Sequence, residues 1–364
     1  MTLRIGVVGV GFGATVHIPA FQSEGLDVVA LCSRRRERVD ATAAKFEIPE
    51  TYIDFDTMLD ESDIDAVSIA TPVGLHHEMV MEALSAGKHV ICEKPFALNA
   101  KQAQEMYAKA QQTGRTAMVA HEFRYSSARM RVKELLDEGY VGQPRMVLMK
   151  IVLGGMGRPG AAPSTGPQPY AAERDSAAQG AGFLFGLGSH YIDCLRHWFG
   201  EVESVSGELN NFSPDRIRGT ETVEADADDT FLFNLRFRNG VLAQMIGTRS
   251  APFGSGASVE IYGSNGALTT PQRGVNPPAH GILLGAQTGD EKQVELPIPE
   301  RLQPFADDRD ERLMPFRLMT QDFLKGIEAG TSPAPNFFDA WRCQQILDAV
   351  RESAASGHRV TIPE

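Results

Sequence analysis

Leu3-Arg4-Ile5-Gly6-Val7-Val8-Gly9-Val10-Gly11-Phe12-Gly13-Ala14 is the stretch that decides how this chain reads. Its first six residues form a short, apolar, β-branched run, the kind found in strands buried on both faces. The run ends in G-x-G-x-x-A and is followed by a helical pattern. That strand–turn–helix context is what a dinucleotide-binding fingerprint requires. Gly9 permits the tight turn, and Gly11 lets the backbone approach a pyrophosphate. Ala14 lets helix and strand pack closely, while Phe12 and Gly13 complete the turn. The helix N-terminus then offers N–H groups to phosphate. Pro19 falls inside the expected helix and should shorten or kink it.

Outward from this stretch, strand runs recur at Asp27–Ser33, Ala66–Ala70, His89–Cys92 and Thr116–Ala120. Amphipathic stretches at Arg36–Phe46, His76–Ala86 and Ala100–Thr113 separate them. The alternation predicts right-handed βαβ units in a doubly wound parallel sheet, a Rossmann domain over residues 1–122. Beyond that boundary the texture changes. A helix at Arg129–Gly139 precedes longer alternating runs at Arg145–Leu153, Val202–Leu209, Thr230–Phe237, Val241–Gly247, Ser258–Tyr262 and Val294–Pro297. Period-two alternation predicts an open, mostly antiparallel sheet with one face covered. Arg238-Asn239-Gly240 reads as a hairpin turn, and Tyr262–Gly266 as a second turn. Helices near Arg312–Glu328 and Phe338–Ser353 close an α+β domain over 123–364. The Gly/Pro/Ala/Ser-rich segment 154–182 is too long for an ordinary connection, so it is either a functional loop or disordered.

The end of the second strand is where an acidic residue would bind the adenine ribose hydroxyls. This chain has Ser33-Arg34-Arg35-Arg36 there, followed by Arg38. A hydroxyl and planar guanidinium forks suit a 2′-phosphate, which a carboxylate would repel. The expectation is NADP(H) in preference to NAD(H), with Ser33, Arg34 and Arg38 as the discriminating residues. The alternative is a solvated helix start, but arginines are electrostatically unfavourable at that end of a helix.

The 364 residues carry a formal charge of −12, which argues against a nucleic-acid partner. Cys32, Cys92, Cys194 and Cys343 lie far apart, with no zinc-ligand spacing, and read as thiols of a reducing compartment. There is no run of about 20 apolar residues and no leader pattern after Met1. The expectation is therefore a cytoplasmic protein with no membrane partner and no metal.

Two further motifs are Ile69-Ala70-Thr71-Pro72 with His76, and Ala86-Gly87-Lys88-His89-Val90-Ile91-Cys92-Glu93-Lys94-Pro95. With the N-terminal fingerprint, these resemble the glucose–fructose oxidoreductase/inositol dehydrogenase (Gfo/Idh/MocA) family. The likeness runs through about residues 3–140 and resumes at Gly188-Ser189-His190-Tyr191-Ile192-Asp193, similar to the family's G-x-H-x-x-D. The resemblance implies a second domain whose sheet face often makes the oligomer interface, hence a homodimer or homotetramer. It also implies that Thr71, Pro72 and His76 line the nicotinamide side and that Glu93-Lys94-Pro95 sets Lys94 beside the ring. His121-Glu122-Phe123-Arg124-Tyr125 is implied to lie near nicotinamide and substrate. The residues agree as far as they go. Lys94 follows the carboxyl end of a buried strand, where doubly wound sheets bind ligands. A lysine there can take the proton of a substrate hydroxyl as hydride leaves. The alternative for Lys94 is a surface salt bridge, perhaps with Glu93.

One departure stands out. Many family dehydrogenases carry D-x-G-x-H, but this chain has Gly186-Leu187-Gly188-Ser189-His190, so the aspartate position is Gly186. His190 then reads as an acid/base or as a structural histidine, and Asp193, one helical turn on, as its orienter or a backbone partner. Arg124 reads either as a binder of substrate hydroxyls or a carboxylate, or as one end of an interdomain salt bridge. Arg158, Tyr170, Glu173, Arg174 and Asp175 of the long loop are candidates to replace the missing carboxylate. The expected activity is hydride transfer between nicotinamide and a sugar, polyol or related hydroxy or keto compound. Two alternatives stay open: a redox-neutral lyase or glycoside-cleaving enzyme that retains its cofactor, and a non-catalytic dinucleotide-binding regulator.

Overall fold

The computed structural model describes residues 2–154, 168–169, 171–272, 278 and 281–364. The chain divides into two compact units: Met1–Glu122 with Asp307–Gln344, and Phe123–Ala306 with Gln345–Glu364.

In the first unit, β1 (Arg4–Val8), β2 (Asp27–Cys32), β3 (Glu50–Tyr52), β4 (Ala66–Ile69), β5 (His89–Cys92) and β6 (Ala117–Val119) form one sheet. The order is β3-β2-β1-β4-β5-β6, parallel throughout. The order reverses beside β1, the place where such sheets open a ligand crevice at their carboxyl edge. Helices α2 (Arg36–Phe46), α4 (His76–Ser85) and α5 (Ala100–Thr113) lie where the apolar periodicity puts them. The fingerprint helix opens with a π-type turn, Gly13–His17, before α1 (Ile18–Ser23). Pro19 sits in the first turn of α1, where its missing N–H costs little, so the proline coincides with a change of helix type. Strand β3 and helix α3 (Phe55–Glu61) are too short to show a period and were not expected. Asp54 caps α3, accepting from Thr57 N–H at 3.0 Å.

Residues 307–344 were expected in the second domain but pack within the first unit, for two reasons. Helix α9 (Leu313–Ala329) buries Phe316 against the fingerprint helix, 4.3 Å from the His17 ring and 5.9 Å from Phe21, with Arg317 paired to Glu24 at 2.6 Å. Residues 331–336 cover the free edge of β6: Val119 N–H donates to Pro335 O at 3.0 Å and Thr116 Oγ1 to Thr331 O at 3.0 Å. An edge strand left open would be a site for unwanted pairing.

The second unit holds α6 (Ser127–Asp137), β7 (Pro144–Val152), β8 (Gln168–Pro169), α7 (Ala172–Asp175), α8 (Ser189–Phe199), β9 (Val202–Asn210), β10 (Asp215–Arg218), β11 (Glu221–Glu224) and β12 (Thr230–Phe237). It continues with β13 (Leu242–Thr248), β14 (Gly256–Gly263), β15 (Gly266–Gln272), β16 (Leu284–Gln287), β17 (Val294–Glu295), the end of α10 (Phe337–Ser356) and β18 (Val360–Thr361). Nine strands form a sheet in the order β17-β16-β15-β14-β7-β13-β12-β9-β18, antiparallel except for β7 with β13. The Arg238-Asn239-Gly240 turn joins β12 to β13, with Gly240 at φ +90°. Strand alternation puts Phe231, Phe233, Leu235 and Phe237 of β12 into the core. Neighbouring strands give way to these rings. A Cβ at Gly247 would lie 2.2 Å from Phe231, and one at Gly207 2.4 Å from the Phe233 Cβ. The opposite face leaves Met146, Leu232 and Leu242 exposed.

No disulfide joins the four buried cysteines. Among the described residues, no helix is long and apolar enough to cross a membrane.

Candidate active site

Parallel register lines up the carboxyl ends of five strands in the first unit. Across the edge they present Ser33 and Arg34 after β2, the glycine-rich turn after β1, and Thr71 after β4. Glu93 and Lys94 follow β5, and His121 and Glu122 follow β6. Backbone bonds carry the order past the strand ends: Gly9 N–H to Cys32 O at 2.9 Å, Glu93 N–H to Ile69 O at 2.8 Å, Ala120 N–H to Cys92 O at 2.8 Å.

The three glycines of the turn have separate tasks. At Gly9, with φ +109°, a Cβ would lie 2.2 Å from Ala70 O, so any side chain collides with backbone. Around Gly11 a Cβ would meet nothing within 4 Å, which is open space where a phosphate can approach the main chain. Gly13 packs on β1 and the β4 end, its Cβ position 3.2 Å from Val7 Cγ1 and 3.4 Å from Ala70. Gly13 thus makes a close helix–strand contact. The turn fits a dinucleotide pyrophosphate. Phe12, at its tip, carries the Arg312 guanidinium 4.9 Å above its ring, and Arg312 is paired to Asp310 at 2.6 Å.

At the β2 end, Arg34 and Arg38 are exposed, and neither side chain makes an ion pair or hydrogen bond among the described residues. Arg36 is committed to Thr51 Oγ1 at 3.2 Å and Asp40 at 3.6 Å.

Below Lys94 lies a buried chain of polar groups. His17 is wholly buried; its Nε2 lies 2.9 Å from Glu93 Oε1 and its Nδ1 2.7 Å from Ser68 Oγ. A carboxylate only accepts, so Nε2 carries the hydrogen of the bond to Glu93. The other Glu93 oxygen accepts from the Lys94 backbone N–H at 3.1 Å. Burial by itself would raise the Glu93 carboxyl. The hydrogen bond and charge of His17, with Lys94 and His76, outweigh it and hold Glu93 below its ordinary value. His76 is also buried, its ring nitrogens 2.9 Å from Thr71 O and 3.0 Å from Pro95 O. It therefore ties the β4 end to the turn after Lys94. Burial lowers its pKa. Thr71 Oγ1 donates to Met79 Sδ at 3.7 Å.

Glu122 behaves oppositely to Glu93. It is 2% exposed, and burial, reinforced by the charge of Glu93, pushes its carboxyl up to about 8 against the pull of Lys94 and Arg312. Neither His17 nor Glu122 was assigned a task from the sequence. The His17 signal was the spacing of a histidine one turn into the fingerprint helix, which carries no meaning until Glu93 is placed beside it.

The second unit gathers the remaining candidates. Arg124 and Asp193 face each other in a buried bidentate pair, with Arg124 Nε donating to Asp193 Oδ2 at 2.8 Å and Nη2 to Oδ1. Arg124 is thus in a salt bridge, but one within the second unit rather than the interdomain bridge expected. His190 is buried and stacks on Phe123, centroids 3.7 Å apart and planes 7° from parallel. Arg129 lies 5.2 Å over the same Phe123 ring and 4.4 Å over Tyr191. Tyr125 is also buried. The turn Leu184–Gly188 leading to His190 is anchored by Asp228, which accepts from Leu184 N–H at 2.8 Å. A Cβ at Gly186 would meet nothing within 4 Å. Of the loop candidates, Asp175 is paired to Arg216 at 2.7 Å. Arg158 and Tyr170 lie outside the described residues, as do the side chains of Glu173 and Arg174.

Comparison with known proteins agrees with this geometry. Residues 3–121 match the family described as an oxidoreductase family with an NAD-binding Rossmann fold, and residues 130–269 match the GFO/IDH/MocA C-terminal domain. An uncharacterised oxidoreductase of Synechocystis is 30% identical, the match covering 100% of this chain and 96% of that protein. The levoglucosan dehydrogenase of Pseudarthrobacter phenanthrenivorans is 26% identical over 100% of this chain and 98% of its own. A solved levoglucosan dehydrogenase, in complex with NADH and L-sorbose, superposes with a TM-score of 0.85 at 25% identity, covering 100% of both chains. Fold and sequence together define an NAD(P)-dependent oxidoreductase. The chain belongs to the Gfo/Idh/MocA family.

The two buried carboxyls have opposite effects on stability. Glu122 is raised, so its contribution is full below the ordinary glutamate range and is lost as pH rises through about 8. Glu93 is lowered, so its contribution is present above that range and is lost on acidification. Between about pH 5 and about pH 9, the unfolding temperature of the native chain should fall relative to that of Glu122→Gln, which has no carboxyl to ionise. Parallel curves for the two proteins in a thermal melt series would contradict the environment described for Glu122.

Proposed function

We propose that the chain oxidises or reduces a secondary hydroxyl or keto group of a sugar, polyol or related compound, with Lys94 as the proton-transfer group. The observation that carries this is the place of Lys94: at the carboxyl edge of the sheet, one strand removed from the β4 end and two from the glycine-rich turn, with its backbone tied to the buried Glu93. The nicotinamide supplies the hydride acceptor or donor. Lys94 takes the hydroxyl proton in oxidation and returns it in reduction. Thr71, Pro72 and His76 shape the nicotinamide end, His76 from behind through its two carbonyl contacts. Sugar and polyol dehydrogenases among the relatives support the substrate class.

His190 is proposed to assist in substrate binding or proton transfer, held in orientation by its stack on Phe123. Arg124 and Asp193 are proposed to brace helix α8 beneath it, because their charges satisfy each other. The second domain is proposed to bind substrate and, through the exposed sheet face bearing Met146, Leu232 and Leu242, to form a homodimer or homotetramer.

NADP(H) is the preferred cofactor in this reading. Ser33 follows β2 in place of an acidic residue, and Arg34 and Arg38 stand beside it with no side-chain partner among the described residues. Arg34→Ala should weaken NADPH binding about tenfold to a hundredfold, the worth of a charge-assisted contact, and leave NADH binding unchanged. Fluorescence titration in which native protein binds both cofactors equally would refute the preference.

Lys94→Ala should lower turnover about 10²–10⁴-fold with little change in cofactor affinity. The assay follows absorbance of the reduced cofactor over a panel of sugars and polyols. Full activity in the variant would overturn the mechanism. Product formed without net change in reduced cofactor would identify the cofactor-retaining, redox-neutral route instead.

A further inference from the structure

Arg312 stands at the head of α9, far along the chain from the glycine-rich turn, yet its guanidinium lies 4.9 Å above the Phe12 ring at the tip of that turn. Contacts along the two helices explain the meeting. Arg312 faces Phe12, Phe316 packs on His17 and Phe21, and Arg317 and Gln321 both reach Glu24, at 2.6 and 2.8 Å. The two partners in each contact rise together in sequence, so α9 runs parallel to the fingerprint helix and both begin at the same end. The positive ends of two helix dipoles therefore lie together at this turn. A Cβ at Gly11, the residue before Phe12, would meet nothing within 4 Å.

The Arg312 guanidinium is held in place but keeps donors to spare. Its Nε donates to Asp310 Oδ1 at 2.8 Å and its Nη2 to Asp310 Oδ2 at 2.6 Å. The Arg312 backbone N–H donates to the same Oδ1 at 3.0 Å. A guanidinium also carries hydrogens on Nη1. These meet no acceptor among the described residues, and the side chain is 25% exposed. The flat face of Phe12 and the carboxylate of Asp310 fix the fork in advance, so an anion arriving there immobilises little that was free. The turn itself needs such a group. Gly9–Ala14 offers backbone N–H groups and carries no charged side chain to meet a pyrophosphate.

We propose that Arg312 is a pyrophosphate-binding residue, donating through its free N–H groups to the phosphates of a dinucleotide seated on the glycine-rich turn. The proposal rests on the dinucleotide occupying that turn. Phe12 then supports the guanidinium that meets the ligand, and Asp310 orients it. The cofactor is gripped from two sides, by main chain at the start of the sequence and by a side chain near its end. This gives the packing of α9 on the fingerprint helix a second purpose besides burying Phe316.

The test is fluorescence titration of NADPH and of NADH into native protein, Arg312→Ala and Arg312→Gln, with the melting temperature of each protein measured without cofactor. A pyrophosphate is common to both cofactors. Arg312→Ala should therefore weaken both by the same factor, about tenfold to a hundredfold, the worth of a charge-assisted contact. Arg34→Ala, by contrast, is expected to weaken NADPH alone. If Arg312→Ala is unfolded at the titration temperature, Arg312→Gln, which keeps an aliphatic stem over Phe12, decides by the same criterion. Native affinity for both cofactors in a folded variant rejects the proposal and leaves Arg312 as a structural partner of Asp310. A loss confined to NADPH also rejects it, because the contact is then with the 2′-phosphate. Native protein that binds neither cofactor rejects the dinucleotide reading of the turn, and the proposal with it.

Discussion

A carboxylate buried away from water must be compensated on the spot, and in the nucleotide-binding unit that carboxylate is Glu93. One oxygen takes the His17 N–H at 2.9 Å and the other the Lys94 backbone N–H at 3.1 Å. The first bond ties the fingerprint helix to the end of β5. The second fixes the backbone from which the Lys94 side chain leaves. Ser68 on β4 holds the far side of the imidazole, and the Phe316 ring of α9 packs against it. Four segments distant in sequence thus converge on one negative charge. Removing His17 would strip a buried anion of its side-chain hydrogen-bond donor, which is more damaging than the loss of a surface ion pair.

The same economy appears in the glycine-rich turn. Only Gly9 needs its glycine for conformation, because a side chain there meets the Ala70 carbonyl. Gly11 needs it for approach by a ligand, and Gly13 for contact with Val7 and Ala70. Three identical residues in one motif answer to three constraints, one within the fold's backbone, one toward the cofactor and one in packing. In the second unit, glycines play the complementary part. Gly207 and Gly247 make room for the phenylalanines of β12, and that aromatic core supports the large sheet of the second unit.

Much of this was legible in the sequence where a pattern is local. Parallel strands buried on both faces read as apolar runs, their helices as amphipathic stretches, and the fingerprint as strand, turn and helix. Those features placed the cofactor turn, the β2 end and Lys94. Short elements such as β3 and α3 gave no period to detect. The packing of 307–344 into the first unit depends on Phe316, Arg317 and the cover over β6, which are contacts across nearly the whole chain. The Arg124–Asp193 pair and the His17–Glu93 pair were illegible for the same reason. Each residue alone reads as a candidate ligand or a generic polar group, and its role appears only when its partner is brought to it. Glu122 was quoted within a motif and given no role, since burial, not identity, is what makes it unusual.

The central claim is that the carboxyl edge of the first unit holds the dinucleotide with its reactive ring at Lys94. A crystal structure of the protein soaked with NADP and a sugar substrate tests it most directly. The account predicts the pyrophosphate over Gly11, the 2′-phosphate at Arg34, and the nicotinamide ring in van der Waals contact with Lys94, about 4 Å from its Nζ. A nicotinamide ring seated away from Lys94, with the lysine turned to solvent, would contradict it.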